Sequence, residues 1–213
     1  MPPDVLVGGL GTDHLQGGGG NDSYVVFNTG TTVTDTCGTT DIVYAEGVDF
    51  TLTDGDGIED LILEGSGHTA TGHATQTTAI YSTGTGNTLV GGSAQDILNA
   101  GAHGDILIGS GGNDFLNAGA GNDVLQFGTS FGQDVVYNFH PHDGGGNQDT
   151  VRLTGEAPGT TFASMVANHQ IFEAPDASQS SGVDVVVAHD ANNYVVLLNH
   201  HLADLSASDF LFA

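Results

Sequence analysis

The stretch GSGGNDFLNAGAGNDVLQF, residues 109–127, contains the same short phrase twice, nine residues apart. Each copy ends in Asn-Asp followed by two apolar residues, so Asp114 and Asp123 occupy equivalent places. Glycine tolerates positive φ and allows tight turns that point several backbone carbonyls to one side. A carboxylate beside such a turn completes an all-oxygen cage, which is the ligand set that Ca²⁺ prefers. The phrase therefore predicts a repeated calcium-binding turn.

The nine-residue spacing extends beyond this stretch. Asp96 and Asp105 precede Asp114 and Asp123 at intervals of nine. An apolar residue follows each of these aspartates two places later, at Leu98, Leu107, Leu116 and Leu125. Two further copies, GGLGTDHLQ and GGGGNDSYV, fill residues 8–25. The shared pattern is G-G-x-G-x-D-x-U-x, where U is an apolar residue.

The candidate calcium ligands are the carboxylates and turn glycines of these six copies. They are Gly9, Gly11, Asp13, Gly18, Gly20, Asp22, Asp96, Gly101, Asp105, Gly112, Asp114, Gly119, Gly121 and Asp123. The first two copies follow the pattern almost letter for letter. The later four replace some glycines with alanine or serine.

This pattern resembles the calcium-binding nonapeptide of RTX (repeats-in-toxin) proteins. The resemblance implies an all-β fold, a parallel β-roll or β-solenoid with a C-terminal β cap. In such a roll two nonapeptides make one coil, so repeats 18 residues apart share an edge. Asp96 would then lie next to Asp114 on one edge and Asp105 next to Asp123 on the other. The aspartates of the first two copies would lie on opposite edges.

The stretch between the two repeat blocks keeps the nine-residue spacing, but most of its aspartate places hold other residues. Steps of nine back from Asp96 reach, in order, Asn87, Thr78, Thr69 and Asp60. The apolar place two residues later reads Leu89, Ile80, Thr71 and Ile62, so Thr71 alone breaks the inward stripe. One small bulge or insertion near residues 31–41 would bring Asp22 into the same nine-residue spacing as the later aspartates. We therefore predict one solenoid of about six coils over residues 5–127, metal-poor from about 28 to 90. The alternative is an unrelated β segment between two short rolls.

After residue 127 the glycine repeat stops, which predicts a division into a roll (1–127) and a capping region (128–213). Strand-like runs occupy 131–139, 149–153, 183–188, 194–199 and 209–213, and a helical turn or two is expected within 161–170. Their order resembles the cap that follows the roll in serralysin-type proteins. The final LSASDFLFA resembles the uncleaved signal of type I secretion.

Composition restricts the partners. The formal net charge is -25, and Arg152 is the one Lys or Arg, so nothing neutralises the phosphates of a nucleic acid. A hydrophobic content of 38% in regular places argues against a disordered acidic chain and favours carboxylates neutralised by a divalent cation. Cys37 is the single cysteine, which excludes an intramolecular disulfide. We expect no Sec-type signal peptide and no transmembrane insertion, because no apolar run approaches about 18 residues.

Other chemistry-bearing motifs are weaker. GTSFG at 128–132 fits G-x-S-x-G with Ser130 in the nucleophile's place, but it lacks the strand–turn–helix setting of a hydrolase. The histidine clusters at 140–143 and 200–201 favour solvated or core-rim side chains over a transition-metal site. Asp134 and Asp149 could bind one more Ca²⁺ or cap turns.

The leading hypothesis is a secreted bacterial protein, exported by type I machinery, that folds on Ca²⁺ outside the cell. Repeats begin at Gly8, so with a natural start at Met1 we expect a non-catalytic module that binds an extracellular polysaccharide or lipopolysaccharide through Ca²⁺. The alternative is the C-terminal export and folding region of a larger secreted enzyme or toxin, such as a protease, lipase or alginate-epimerase-like protein. A transition-metal or haem carrier that uses the histidines is a third class.

Overall fold

The computed structural model describes residues 2–142, 145–175 and 182–213. The chain winds into a parallel β-solenoid of about seven coils, and its regular structure is nearly all β. Each coil contributes one strand to each of two opposed faces, with a turn at either edge. The predicted fold class is confirmed.

One face is an eleven-stranded sheet within the described residues, here called the long sheet. In spatial order its strands are β1 (Val5–Val7), β3 (Ser23–Val26), β5 (Ile42–Glu46), β7 (Asp60–Glu64), β9 (Ala79–Ser82), β11 (Ile97–Asn99), β13 (Phe115–Asn117), β15 (Gln133–Tyr137), β19 (Tyr194–Leu197), β18 (Val183–Ala188) and β17 (Ile171–Pro175). Pairing is parallel from β1 to β19, and β18 and β17 then add antiparallel.

The opposite face is a seven-stranded parallel sheet, here called the short sheet. Its strands are β20 (Phe210–Phe212), β16 (Thr150–Leu153), β14 (Val124–Phe127), β12 (Ile106–Ile108), β10 (Thr88–Val90), β8 (Thr69–Thr71) and β6 (Phe50–Thr51). The first coils instead contribute a separate parallel pair, β2 (His14–Gln16) and β4 (Thr32–Thr34). The one α-helix of the described residues, α1, spans Phe162–Ala167, and short 3-10 turns cover Leu202–Asp204 and Ala207–Asp209. No helix in these described ranges is long and apolar enough to span a membrane.

The core of the solenoid is built around two rows of inward side chains, one from each sheet. Strands alternate buried and partly exposed positions, as a period of two requires. The long sheet contributes the buried row Tyr24, Val43, Leu61, Ile80, Leu98, Leu116 and Val136. The short sheet contributes the buried row Phe50, Ala70, Leu89, Leu107, Leu125, Val151 and Phe210. Stacking buries each row continuously, which no single short strand could do alone.

In the coils that precede Thr78, the predicted inward positions are wrong, because each lies one residue too late in the sequence. β10 pairs with β8 so that Leu89 stands opposite Ala70, and β9 pairs with β7 so that Ile80 stands opposite Leu61. Ala70 and Leu61 are therefore the inward residues, and Thr71 does not interrupt the stripe. The cause is the turn 72–78, which is one residue longer than the turns 91–96 and 109–114.

The parallel stack continues past residue 127 through β15 and β16. The C-terminal run at 209–213 forms β20, which pairs in parallel with β16. α1 begins at a capping box in which Thr161 and Ser164 exchange hydrogen bonds, and it buries Met165 in the core. The predicted strands and short helix of this region are confirmed. The division at residue 127 and the secretion signal stay predictions.

Candidate metal centre

The turns of the solenoid form two edges, one on either side of the core. The first edge contains the turns that lead into the long sheet, among them 17–22, 35–41, 91–96 and 109–114. The second edge contains the turns that lead into the short sheet or into the β2–β4 pair, among them 8–13, 100–105 and 118–123. Each of these turns ends in an aspartate, so the carboxylates of successive coils stand above one another.

At the first edge each carboxylate accepts a hydrogen bond from the equivalent residue one coil earlier. The N–H of Thr78 donates to Asp96 Oδ1 at 2.7 Å, and that of Asp96 donates to Asp114 Oδ1 at 2.9 Å. The N–H of Asp114 in turn donates to Asp134 Oδ1 at 2.8 Å. The predicted neighbours Asp96 and Asp114 are thus adjacent rungs of a ladder.

The second edge repeats this arrangement. The N–H of Asn87 donates to Asp105 Oδ1 at 2.8 Å, and that of Asp105 donates to Asp123 Oδ1 at 2.7 Å. Asp149 receives the N–H of Asp123 at 2.8 Å. Asp105 and Asp123 are therefore adjacent on this edge, as predicted.

The two aspartates near the N-terminus lie on opposite edges, as the resemblance implied. Asp22 is a rung of the first edge, where its Oδ1 accepts the N–H of Asp4 at 2.7 Å. Asp13 lies on the second edge, and its N–H reaches Thr31 Oγ1 at 3.4 Å. The rung after Asp13 is thus a hydroxyl and not a carboxylate.

The second oxygen of most of these carboxylates has no hydrogen-bond partner. Because Oδ1 is fixed by the ladder, Oδ2 points beneath its own turn. Buried, unpartnered Oδ2 atoms occur at Asp13, Asp22, Asp41, Asp105, Asp114, Asp123 and Asp134. A buried carboxylate oxygen without a donor is strongly unfavourable unless a cation reaches it. The donor set thus fits a hard divalent cation. Asp96 is an exception, because the N–H of Gly92 donates to its Oδ2 at 2.6 Å.

The turn glycines make the room that this geometry needs. All eight predicted ligand glycines have positive φ, at Gly9, Gly11, Gly18, Gly20, Gly101, Gly112, Gly119 and Gly121. The glycine that opens a turn matters for a different reason, since a Cβ on Gly109 would lie 2.2 Å from Asp114 Oδ2. Glycine at that place keeps the space beneath the turn open. Calcium coordination by the predicted residues remains a prediction.

Burial opposes ionisation of the ladder carboxylates. Burial raises the pKa of Asp114 to about 8, and the charges of Asp134 and Asp96 act in the same direction. Burial also raises the pKa of Asp123 to about 8 and that of Asp134 to about 7. A positive charge beside these acids would lower their pKa values and favour the ionised form near neutral pH.

The middle coils satisfy the same positions without a cation. His73 donates its backbone N–H to Thr78 Oγ1 at 3.1 Å, just as Gly92 donates to Asp96 Oδ2 one coil later. Its ring bridges Thr78 Oγ1 at 2.9 Å and Asp56 Oδ1 at 2.8 Å. On the second edge the side-chain amide of Asn87 donates to Ser82 Oγ at 2.9 Å. Within the described part of the chain, residues 42–104 contain no buried unpartnered side-chain oxygen or nitrogen.

Several residues of the two hydrogen-bond ladders could not be predicted from the sequence, because they lie outside the nonapeptide spacing. Asp41 follows Asp22 by 19 residues, since the turn 35–41 has one residue more than the turn 17–22, and its Oδ1 accepts the N–H of Asp22 at 2.6 Å. The rung expected at Asp60 is Glu59, whose Oε2 accepts the N–H of Asp41 at 2.8 Å. The rung expected at Thr69 is His68, whose N–H donates to Asn87 Oδ1.

Asp35 was also missed. It stands where the regular turns begin with glycine, and burial together with the bond to Asp35 raises the pKa of the Tyr24 hydroxyl, which keeps that hydroxyl a donor. An aspartate at both the first and the last place of a turn, as in 35–41, is the signal that could have found this cluster.

The histidine clusters do not converge on one point. His140 Nδ1 lies 3.4 Å from Asp149 and His142 Nδ1 lies 2.9 Å from Asp209, while the ring of His200 packs edge-on against Phe139. Asp143 of the first cluster lies outside the described residues. Ser130 lies in the exposed turn between β14 and β15.

A family model of the RTX calcium-binding nonapeptide repeat, in four copies, matches residues 3–25, 81–116 and 101–129. This chain contains RTX calcium-binding repeats. The matched RTX segments contain all six predicted aspartates. Together with the unpartnered oxygens, the RTX repeats imply calcium as the bound ion.

A comparison with solved structures matches the crystal structure of the extracellular lipase LipA from Serratia marcescens. It shares 17% sequence identity with this chain at a TM-score of 0.43. The similarity covers 100% of this chain and 40% of the lipase chain, so the chain spans less than half of that protein's length. A comparison with curated proteins gave no match.

Proposed function

We propose that this chain is a secreted module whose folding is driven by calcium. The observation that carries the proposal is the set of seven buried Oδ2 atoms without partners. Coils about 4.8 Å apart bring like charges together, which is unfavourable without a cation. Extracellular modules bind Ca²⁺ with dissociation constants of roughly 10⁻⁴ to 10⁻³ M, so calcium outside the cell would load the sites. Binding free energy then becomes folding free energy.

A calcium titration followed by circular dichroism tests this proposal. We expect little β signal in excess chelator and a cooperative gain as calcium rises through the millimolar range. The double variant Asp105→Asn/Asp123→Asn should need several-fold more calcium. The matched control Asp54→Asn removes one charge at an exposed residue outside both ladders and should behave as wild type. A fully folded β signal in chelator would contradict the proposal.

For the folded module we propose a non-catalytic role in binding an extracellular polysaccharide or lipopolysaccharide. The outer face of the long sheet supports it, because strand register aligns partly exposed side chains in one row. The row contains Tyr44, Ile62, Tyr81, Asn99, Asn117 and Tyr137. Aromatic rings and amides on a flat sheet offer stacking surface and hydrogen bonds to sugars, and bound calcium would keep that sheet formed.

Binding of the folded protein to immobilised bacterial polysaccharides and lipopolysaccharide tests this role. We expect Tyr44→Ala/Tyr81→Ala to lose most binding, and chelator to abolish it. Phe27→Ala is the matched control, since Phe27 is an exposed aromatic in a turn outside the row. Binding that persists in chelator, or in the double tyrosine variant, would exclude this surface.

A second candidate is the C-terminal export and folding region of a larger secreted enzyme or toxin. It is favoured by β1, the outermost strand of the long sheet, whose Val5 and Val7 are 72% and 59% exposed. Such an open strand edge can accept further coils from a preceding segment. Mass spectrometry of the protein secreted by its natural host distinguishes the cases. A mass near 21.6 kDa supports the stand-alone module, and a much larger one supports the carrier region.

A further inference from the structure

Three aspartates at the first edge lie closer together than the ladder requires. Asp22, Asp35 and Asp41 each offer one carboxylate oxygen, and these oxygens lie within 4.8 Å of one another. All three residues are buried. Asp22 and Asp41 are consecutive rungs, whereas Asp35 opens the turn 35–41, where the regular turns carry glycine.

Each of the three carboxylates uses one oxygen to hold the backbone. Asp22 Oδ1 accepts from Asp4 N–H, and Asp41 Oδ1 accepts from Asp22 N–H. Asp35 Oδ1 accepts from the N–H groups of the two residues that follow it, at 2.5 and 3.0 Å. In the folded protein these hydrogen bonds orient the three carboxylates through their first oxygens.

Two of these second oxygens have no partner. They are Asp22 Oδ2 and Asp41 Oδ2, in side chains whose residues are 1% and 0% exposed. The third, Asp35 Oδ2, accepts the Tyr24 hydroxyl at 2.5 Å, while that hydroxyl accepts the N–H of Gly17 at 3.0 Å. Tyr24 thereby orients Asp35 towards the other two carboxylates.

The space between them is kept open by glycine. A Cβ on Gly17 would lie 2.2 Å from Asp22 Oδ2 and 2.7 Å from Asp35 Oδ2. A Cβ on Gly38 would lie 1.8 Å from Asp41 Oδ2 and 2.5 Å from the carbonyl oxygen of Gly20. The places that these two Cβ atoms would fill are thus bordered by oxygens of the three carboxylates and of one turn carbonyl.

We propose that Asp22, Asp35 and Asp41 form a three-carboxylate cation site, with Tyr24 as the residue that positions Asp35. The inference rests on the proposed calcium binding and identifies a site whose composition differs from the one-aspartate repeat turns. A multivalent cation would offset three negative charges held so close together. An oxygen cage of irregular shape suits Ca²⁺ or a lanthanide better than Mg²⁺, which demands octahedral geometry and retains water.

Terbium luminescence tests the site directly, because Tyr24 is hydrogen-bonded to one of the ligands. Excitation of tyrosine should produce sensitised Tb³⁺ emission from the calcium-loaded protein titrated with Tb³⁺. Tyr24→Phe should lose most of that emission while Tb³⁺ excited directly still shows binding. Tyr81→Phe is the matched control, since Tyr81 lies on the outer face, and should retain the emission.

The ligand itself is tested by Asp35→Asn, with Asp54→Asn as control. Calorimetry with Ca²⁺ should show one fewer ion per chain for Asp35→Asn, or an affinity weakened by about tenfold or more at one site, because affinity follows the number of charged ligands. Circular dichroism in saturating calcium checks that each variant is folded. If Asp35→Asn does not fold, the comparison of Tyr24→Phe with Tyr81→Phe decides alone.

The outcomes separate this inference from the proposed function. A wild-type protein that binds neither Ca²⁺ nor Tb³⁺ contradicts the proposed function as a whole. A wild-type protein that binds both, with Asp35→Asn and Tyr24→Phe indistinguishable from their controls, overturns the three-carboxylate site and leaves calcium-driven folding intact.

Discussion

His73 shows how one residue changes the chemistry of a turn. Its imidazole lies beneath the turn 72–78, with Thr78 on one ring nitrogen and Asp56 on the other, and its side chain is 2% exposed. Burial alone would lower the pKa of His73, but the hydrogen bond to Asp56 and the negative charges of Asp56, Asp54 and Asp96 together raise it. The folded structure therefore favours the protonated ring, which would supply a positive charge beside Asp56 from the protein itself.

We predict that His73→Ala lowers the free energy of unfolding of the calcium-loaded protein by about 3 kcal/mol at pH 6, because it leaves a buried carboxylate without its cation. A His pKa that folding raises contributes stability below its ordinary value of about 6.5, and this contribution is lost as pH rises through the folded value. The gap between wild type and variant should therefore shrink towards pH 9. Urea unfolding at both pH values measures it.

The exposed His103→Ala is the control for this prediction, and it should change stability by less than about 0.5 kcal/mol. If the difference in unfolding free energy between wild type and His73→Ala widened as pH rises, the raised pKa of His73 would be contradicted.

The nonapeptide rule gave the right strands and the right rungs wherever the turns have six residues. That holds from Asp96 to Asp123, where the spacing of nine is regular and every U position is buried. The rule fails before Thr78, because the turn 72–78 has one extra residue, which makes room for His73. No glycine or proline in the sequence marks that extra residue. A shift of one residue in a strand exchanges its two faces, so the same error moved the inward assignment from Ala70 to Thr71 and from Leu61 to Ile62.

A pair of substitutions in β8 tests the corrected register. Ala70→Asn places an amide in the closed core between Phe50 and Leu89 and should lower the free energy of unfolding by about 2–3 kcal/mol. Thr71→Asn, on the outer face, should change it by less than about 0.5 kcal/mol. Denaturant unfolding in saturating calcium compares the two variants, and the reverse order would restore the original phase.

At the scale of the whole molecule, calcium binding and proton binding compete. The sequence predicted a chain of net charge -25 held together by cations, but counting charges assumes that every carboxylate is ionised. Burial raises the pKa of Asp114 and Asp123 to about 8 and that of Asp134 to about 7, and only the folded arrangement reveals this. A cation must displace those protons to bind.

We predict that in excess chelator the protein keeps more β structure at pH 5 than at pH 8. The sign follows from the raised pKa values of Asp114, Asp123 and Asp134 in the folded state. In chelator these groups contribute stability that is full below the ordinary carboxyl pKa of about 3.9 and is lost as pH rises through about 8. Circular dichroism in chelator at the two pH values measures the difference. A β signal that does not fall as pH rises would contradict the prediction.

The middle of the stack also separates two groups of carboxylates with unpartnered oxygens. From the rung at Asp41 to the rung at Asp96 the first edge rises by three coils, through Glu59 and Thr78, which at about 4.8 Å per coil is roughly 14 Å. Because the Coulomb energy falls with distance, a cation at one end would influence the other end far less than it influences a rung one coil away. A protein that bound calcium at both ends could therefore fill them at different calcium concentrations, and would respond to two thresholds of the same signal.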